Sequence, residues 1–95
     1  MKSENDNPIL KQAIKVFGID SQIDQSIEEM SELIQALIKR RRGIATGDNV
    51  SEEMADVLIM MEQLLIIFNN DDEVSRHQEE KLIRLKNRLD HMTGK

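Results

Sequence analysis

The sequence contains no cysteine, tryptophan or tyrosine, and it has only two phenylalanines and one proline. Without cysteine, the chain can form neither a disulfide bond nor a thiolate zinc site. The scarcity of aromatic side chains leaves almost no platform on which single-stranded nucleic acid could stack its bases. A formal net charge of −5 also disfavours nonspecific binding to nucleic acid or to an anionic membrane. We therefore expect neither as a partner.

Hydrophobic segments of the targeting or spanning type are missing as well. Residues 1–7 are polar and contain no signal-peptide segment. The most apolar run, Met54–Phe68, is too short for an ordinary membrane span, and three polar residues interrupt it, namely Asp56, Glu62 and Gln63. These features predict a cytoplasmic protein.

The length and composition of the sequence fit one folded helical domain. The 95 residues are 39% hydrophobic and 33% charged, a balance that is typical of a folded chain rather than a disordered one. No alternating strand pattern, internal repeat or low-complexity tract occurs. We expect an all-α fold, with residues 1–6 as a flexible N-terminal lead and residues 7–95 as the helical domain.

Capping residues predict the first two helices. Asn7 and Pro8 are typical of a helix start, and Gly18 of its end. A second helix is expected from Asp20 to about Arg42, because the basic run at residues 39–42 complements the negative end of the helix dipole.

Two further helices follow a loop at residues 43–50. Ser51 is the expected cap of the third helix, which runs to Phe68. The fourth helix is expected to cover roughly residues 73–91, with Asp71 or Asp72 as its cap. The sequence thus predicts a four-helix all-α bundle.

The apolar residues of these helices form stripes of different width. The second helix has one stripe, made of Ile23, Ile27, Met30, Ile34, Leu37 and Ile38 and widened by Leu33. In the third helix, 12 of the 15 residues from Met54 to Phe68 are apolar, so apolar side chains point in every direction. Because so short a chain supplies few partners for such a helix, we expect a second copy to cover part of it, giving a homodimer or homotetramer.

Two pairs of acids stand on the second and third helices. Glu29 and Glu32 are three residues apart, and so are Glu53 and Asp56. Residues at this spacing share one helix face, with Cβ atoms about 5–6 Å apart. Two such pairs on adjacent helices would form an all-oxygen site, which suits Mg²⁺ or Mn²⁺. The expected substrate then carries phosphate groups.

Each acid also has an ordinary interpretation. Glu53 follows the expected cap, where the helix dipole alone favours an acid. Glu28, Glu29 and Glu32 lie off the apolar stripe, so a solvated face would explain them. Asp56 is harder to explain in this way, since it lies beyond the cap on an apolar helix, where an unpaired carboxylate is penalised.

The two pairs together, with their flanks, resemble a known motif. The segment Ile27-Glu28-Glu29-Met30-Ser31-Glu32-Leu33, a basic helix end, and then Glu52-Glu53-Met54-Ala55-Asp56-Val57-Leu58 are similar to the paired acidic motif of the MazG-like, all-α nucleoside triphosphate pyrophosphohydrolases. Twenty residues separate the two pairs. The resemblance covers roughly residues 22–89 and implies a MazG-like bundle completed by oligomerisation.

The resemblance also implies a reaction and its residues. The family cleaves a nucleoside triphosphate between the α and β phosphates, releasing a monophosphate and pyrophosphate. By position, the Mg²⁺ ligands would be Glu29, Glu32, Glu53 and Asp56. Glu28, beside the first pair, is the candidate for positioning or deprotonating the attacking water, although Glu32 or Glu29 could serve instead.

Basic residues on the last helix are the candidate phosphate contacts. Lys81 and Arg88 flank the apolar seam of this helix, Arg84 lies beside them, and family members often carry Lys or Arg there. The seam consists of Val74, Gln78, Leu82, Leu85, Leu89 and Met92. Ordinary solvated side chains are the alternative. Many relatives stack the base on an aromatic residue, and only Phe17 and Phe68 are available here, so the preferred base is left open.

Three functional hypotheses result. The first is a Mg²⁺-dependent pyrophosphohydrolase of ribo- or deoxyribonucleoside triphosphates that acts in cleansing or control of the nucleotide pool. The second is a noncatalytic helical interaction module on the same scaffold. The third is a dedicated phosphoribosyl-ATP, dUTP or dCTP pyrophosphatase.

Overall fold

The computed structural model describes residues 7–45, 47 and 49–94. The described residues form four α-helices, which are α1 (Pro8–Phe17), α2 (Ile19–Arg41), α3 (Asn49–Phe68) and α4 (Asp71–Thr93). No strand occurs among the described residues, which confirms the all-α prediction. The predicted lead, residues 1–6, lies outside them. The described part of the chain divides into two compact units, one formed by α1 to α3 and the other by α4.

Local capping explains how the three-helix unit begins. The Asn7 side-chain oxygen accepts hydrogen bonds from the backbone N–H groups of Ile9 and Leu10, at 3.0 and 3.4 Å, and Pro8 occupies the first turn. Gly18 ends α1 and begins α2 with a φ of +93°. A side chain there would be strained, so glycine allows the chain to turn directly from one helix into the next. The basic end predicted for α2 is confirmed at residues 39–41.

The beginnings of three helices differ from the sequence prediction. Helix α2 begins at Ile19, one residue before the expected Asp20, with Gly18 rather than a polar side chain at the cap. Helix α3 begins at Asn49, so Ser51 lies inside it rather than at its cap. Helix α4 begins at Asp71 with Asn70 in the cap position, and it ends at Thr93. Several residues before each of these helices can act as a cap, and local sequence alone does not choose between them.

Helices α2 and α3 form the main contact of the three-helix unit, and α1 packs against both. The face of α2 that is buried carries Gln22, Ser26 and Ala36. The apolar stripe packs only in part, because Ile27 and Ile34 are 61% and 58% exposed, whereas Ile23, Met30 and Leu33 are half-buried. The buried hydrogen bond between Gln22 and Gln63 shows that polar side chains of α2 also contact α3.

The hydrophobic core of the described residues is small. Only Leu10, Ala36 and Leu65 are buried apolar residues, whereas large apolar side chains are exposed on every helix. In the separate unit, none of the residues of α4 is buried, and its seam residues Leu82 and Leu89 are exposed. Across the described residues, no helix is both long and apolar enough to cross a membrane.

Candidate metal centre

Three carboxylates from two helices converge beside the packed face of α2. One oxygen each from Glu29, Glu53 and Asp56 lies within 4.8 Å of the other two. Glu29 comes from α2, and the other two come from α3, where their three-residue spacing places them on one face. The structure thus brings together three of the four residues expected from sequence as metal ligands.

Glu32, the fourth expected ligand, lies next to this group rather than within it. Removal from water raises the pKa of its carboxyl above the ordinary value, and the nearby charge of Glu53 raises it further. Glu28 and Asp56 contribute smaller effects of the same sign. Glu32 therefore faces the same negative region from the next turn of α2.

Helix α3 begins earlier than expected, and this changes how Glu53 is explained. Because α3 starts at Asn49, Glu52 lies in its first turn and Glu53 follows in the second. The attraction of a helix N-terminus for an acid falls off within the first turn. The helix dipole therefore explains an acid at Glu52 better than an acid at Glu53, and it does not explain an acid at Asp56.

Glu29 is held from its own helix by an amide. Gln25, one turn earlier, donates a hydrogen bond from Nε2 to Glu29 Oε1 at 2.8 Å. Burial raises the pKa of the Glu29 carboxyl, the Gln25 hydrogen bond lowers it, and the charges of Asp56 and Glu32 raise it again. The net effect is to raise the pKa of the Glu29 carboxyl, with burial as the largest cause.

Two carboxylate oxygens in this group lack a donor. Glu29 Oε2 and Glu53 Oε2 are each buried, and neither accepts a hydrogen bond from any described residue. An ionised carboxylate can only accept hydrogen bonds. Glu29 and Asp56 can therefore hydrogen-bond to each other only if they share a proton, and the same holds for Glu32 and Glu53. A cation or shared protons would compensate this arrangement, and carboxylate oxygens suit Mg²⁺, Mn²⁺ or Ca²⁺.

The remaining candidate residues lie outside the carboxylate group. Glu28 is exposed on α2, and its charge reaches Glu32. Lys81, Arg84 and Arg88 are exposed on α4, where spacings of three and four residues place them along one face of that helix. Within the described residues, none of these three basic side chains forms an ion pair.

The buried polar side chains of α2 and α3 were not predicted from the sequence. Gln63 is fully buried and donates from Nε2 to Oε1 of buried Gln22 at 2.8 Å. The buried Ser26 hydroxyl donates to the Gln22 carbonyl oxygen at 2.9 Å. The helical spacing of Gln22, Ser26 and Glu29 could have indicated this shared polar face.

Comparison of the chain with protein-family models, with curated proteins and with solved structures found no match. The function is therefore inferred from the carboxylate group and from the sequence motif that contains its residues.

Proposed function

We propose that this protein is a Mg²⁺-dependent nucleoside triphosphate pyrophosphohydrolase of the MazG-like type. It would cleave ribo- or deoxyribonucleoside triphosphates to the monophosphate and pyrophosphate, in cleansing or control of the nucleotide pool. The observation that carries this proposal is the convergence of Glu29, Glu53 and Asp56 within 4.8 Å of one another. The resemblance of the two acidic pairs to the family motif supplies the reaction.

The residues present fit a divalent cation. Glu29, Glu53 and Asp56 offer three hard oxygen ligands, and Glu32 lies beside Glu53 as the fourth. The two buried oxygens without a donor are the atoms expected to gain most from a cation. When bound, Mg²⁺ supplies Lewis-acid polarisation of phosphate oxygens and activation of water.

The chain's own residues would divide the remaining tasks. Glu28 is exposed next to the acidic group, so it can reach solvent and position or deprotonate the attacking water. Glu32 and Glu29, whose pKa values are raised, remain alternatives for that role. Lys81, Arg84 and Arg88 would bind the outer phosphates, since a basic helix face offers several donors to such oxygens.

A second copy of the chain is part of the proposal. Ile27 and Ile34 on α2, and Met54 and Leu58 on α3, are at least half exposed within one chain. Large exposed apolar surfaces are typical of interaction sites. We propose that a homodimer or homotetramer buries them and that assembly in the cytoplasm completes the enzyme.

The same exposed surfaces favour one alternative, a noncatalytic interaction module. Such a module would need the apolar faces but neither turnover nor a cation. A dedicated phosphoribosyl-ATP, dUTP or dCTP pyrophosphatase is the alternative within the enzyme class. The chain has only two phenylalanines, Phe17 and Phe68, for stacking on a base, so the preferred base is left open.

The test is pyrophosphate release from a panel of ribo- and deoxyribonucleoside triphosphates and phosphoribosyl-ATP, with and without Mg²⁺. We expect turnover that requires Mg²⁺ and is lost in the double variant Glu53→Gln/Asp56→Asn. The matched control is Glu52→Gln, since Glu52 is the exposed neighbour in the first turn of α3. Activity that survives the double variant would reject the metal assignment, and no turnover of any compound would favour the interaction module.

A further inference from the structure

Among the described residues, Gln25 is the only neutral side chain that donates a hydrogen bond to one of the three converging carboxylates, that of Glu29. Its Nε2 lies 2.8 Å from Glu29 Oε1. The amide orientation is dictated by chemistry, because an ionised carboxylate only accepts and the amide oxygen would face it without a proton. A four-residue spacing on α2 makes this contact local to one helix.

We propose that Gln25 is a positioning residue for the carboxylate group, holding one oxygen of Glu29 so that the other is left to ligate a divalent cation. This inference rests on the proposed function, since it assumes that the carboxylate group binds Mg²⁺. The buried Glu29 Oε2, which lacks a donor, is the oxygen that Gln25 leaves unoccupied.

The chemistry of an amide suits this task. A neutral donor fixes the carboxylate without adding charge to a group that is already strongly negative. A lysine would compete with the cation for the same charge, and an acid would add to the repulsion. Partners that hydrogen-bond to metal-ligating side chains orient them, and removing such a partner typically weakens metal binding by about 10- to 100-fold.

The experiment measures Mg²⁺ affinity by calorimetry and the melting temperature of the metal-free protein. Gln25→Met removes the amide donor and retains an unbranched side chain. Gln25→Ala also removes the donor, and alanine is the residue with the highest helix propensity. Gln35→Met is the control, because Gln35 is exposed on the same helix. We expect both Gln25 variants to bind Mg²⁺ about 10-fold more weakly, with metal-free melting close to that of the control.

The pH dependence of the Mg²⁺ affinity is a second measurement, and a general packing defect would not change it. Cations compete with protons for a carboxylate, and the Gln25 hydrogen bond favours the ionised form. Mg²⁺ affinity should therefore rise with pH, and loss of the Gln25 hydrogen bond should shift this rise to higher pH. If wild type and both Gln25 variants have the same Mg²⁺ affinity and the same pH profile of binding, this inference alone is overturned. If the wild type does not bind Mg²⁺, the inference and the proposed function are overturned together.

Discussion

Gln63 of α3 and Gln22 of α2 are joined by a buried hydrogen bond of 2.8 Å between residues 41 positions apart in sequence. Gln63 is completely buried, and its Oε1 accepts no hydrogen bond from the described residues. The bond links α2 to α3 on the helix faces that also carry Glu29 and Asp56. Glu29 is seven residues after Gln22, and Asp56 is seven residues before Gln63. It therefore fixes the register in which the acidic pairs meet.

A double-mutant cycle on this pair should show strong coupling. Gln63→Met leaves Gln22 Oε1 buried without its donor, and Gln22→Met leaves the Gln63 amide without its acceptor. Each single change should destabilise the metal-free protein by about 1–3 kcal/mol, whereas the double variant should cost much less than the sum. Urea denaturation measures these differences, and additive effects would show that the hydrogen bond does not couple the helices.

The fold was largely predictable, since the signals that specify it are local. Asn7, Pro8 and Gly18 act within one or two turns, and the acidic pairs share a face because of their spacing alone. The face of α2 that packs was not predictable. The spacing of Gln22, Ser26 and Glu29 indicates a shared polar face, but its burial depends on the pairing of Gln22 with Gln63, a residue 41 positions later in the sequence.

The stability of the metal-free protein should fall as pH rises through the raised pKa values of Glu29 and Glu32. A group that binds protons more tightly in the folded state favours folding at low pH, and this advantage is lost above the folded-state pKa. Glu32→Gln removes one such group, so this variant should be more stable than wild type near pH 7 and should lose its advantage near pH 4. Denaturation at a series of pH values measures the difference, with Glu52→Gln as the control.

A Glu32→Gln variant that is less stable than wild type at neutral pH would contradict this prediction. Such a result would mean that protons or donors already compensate the charges, and that the acids do not repel one another in the folded protein. The comparison is made without divalent cations, because a bound cation would reverse the expected sign.

Mg²⁺ should stabilise the protein by mass action. At ten times its dissociation constant, a ligand that binds only the folded state contributes about 1.4 kcal/mol, which raises the melting temperature of a domain of this size by roughly 5–10 °C. Glu53→Gln/Asp56→Asn should melt higher than wild type in the absence of metal, because two repelling charges are removed, and should not respond to Mg²⁺. Thermal melts across a Mg²⁺ titration measure both effects, and an equal response in the two proteins would place the cation elsewhere.

Assembly should depend on the apolar stripe of α2 that one chain leaves uncovered. Ile27, Ile34 and Ile38 follow one another at seven and four residues along a single helix face, and all three are exposed. One chain has a mass of 11.0 kDa, so light scattering should find two or four times that value. Ile34→Lys places a charge in the expected interface and should shift the protein towards the monomer, because burying an unpaired charge is costly.

Gln35→Lys is the matched control for assembly, since it adds the same charge at the next position of α2, which is also exposed. It should leave the assembled mass unchanged if the stripe is the interface. With only Leu10, Ala36 and Leu65 buried among the apolar residues described, a dissociated chain retains little core. The Ile34→Lys monomer should therefore also unfold at lower denaturant concentration than the control, and a wild-type protein that is monomeric in light scattering would rule out this explanation of the stripe.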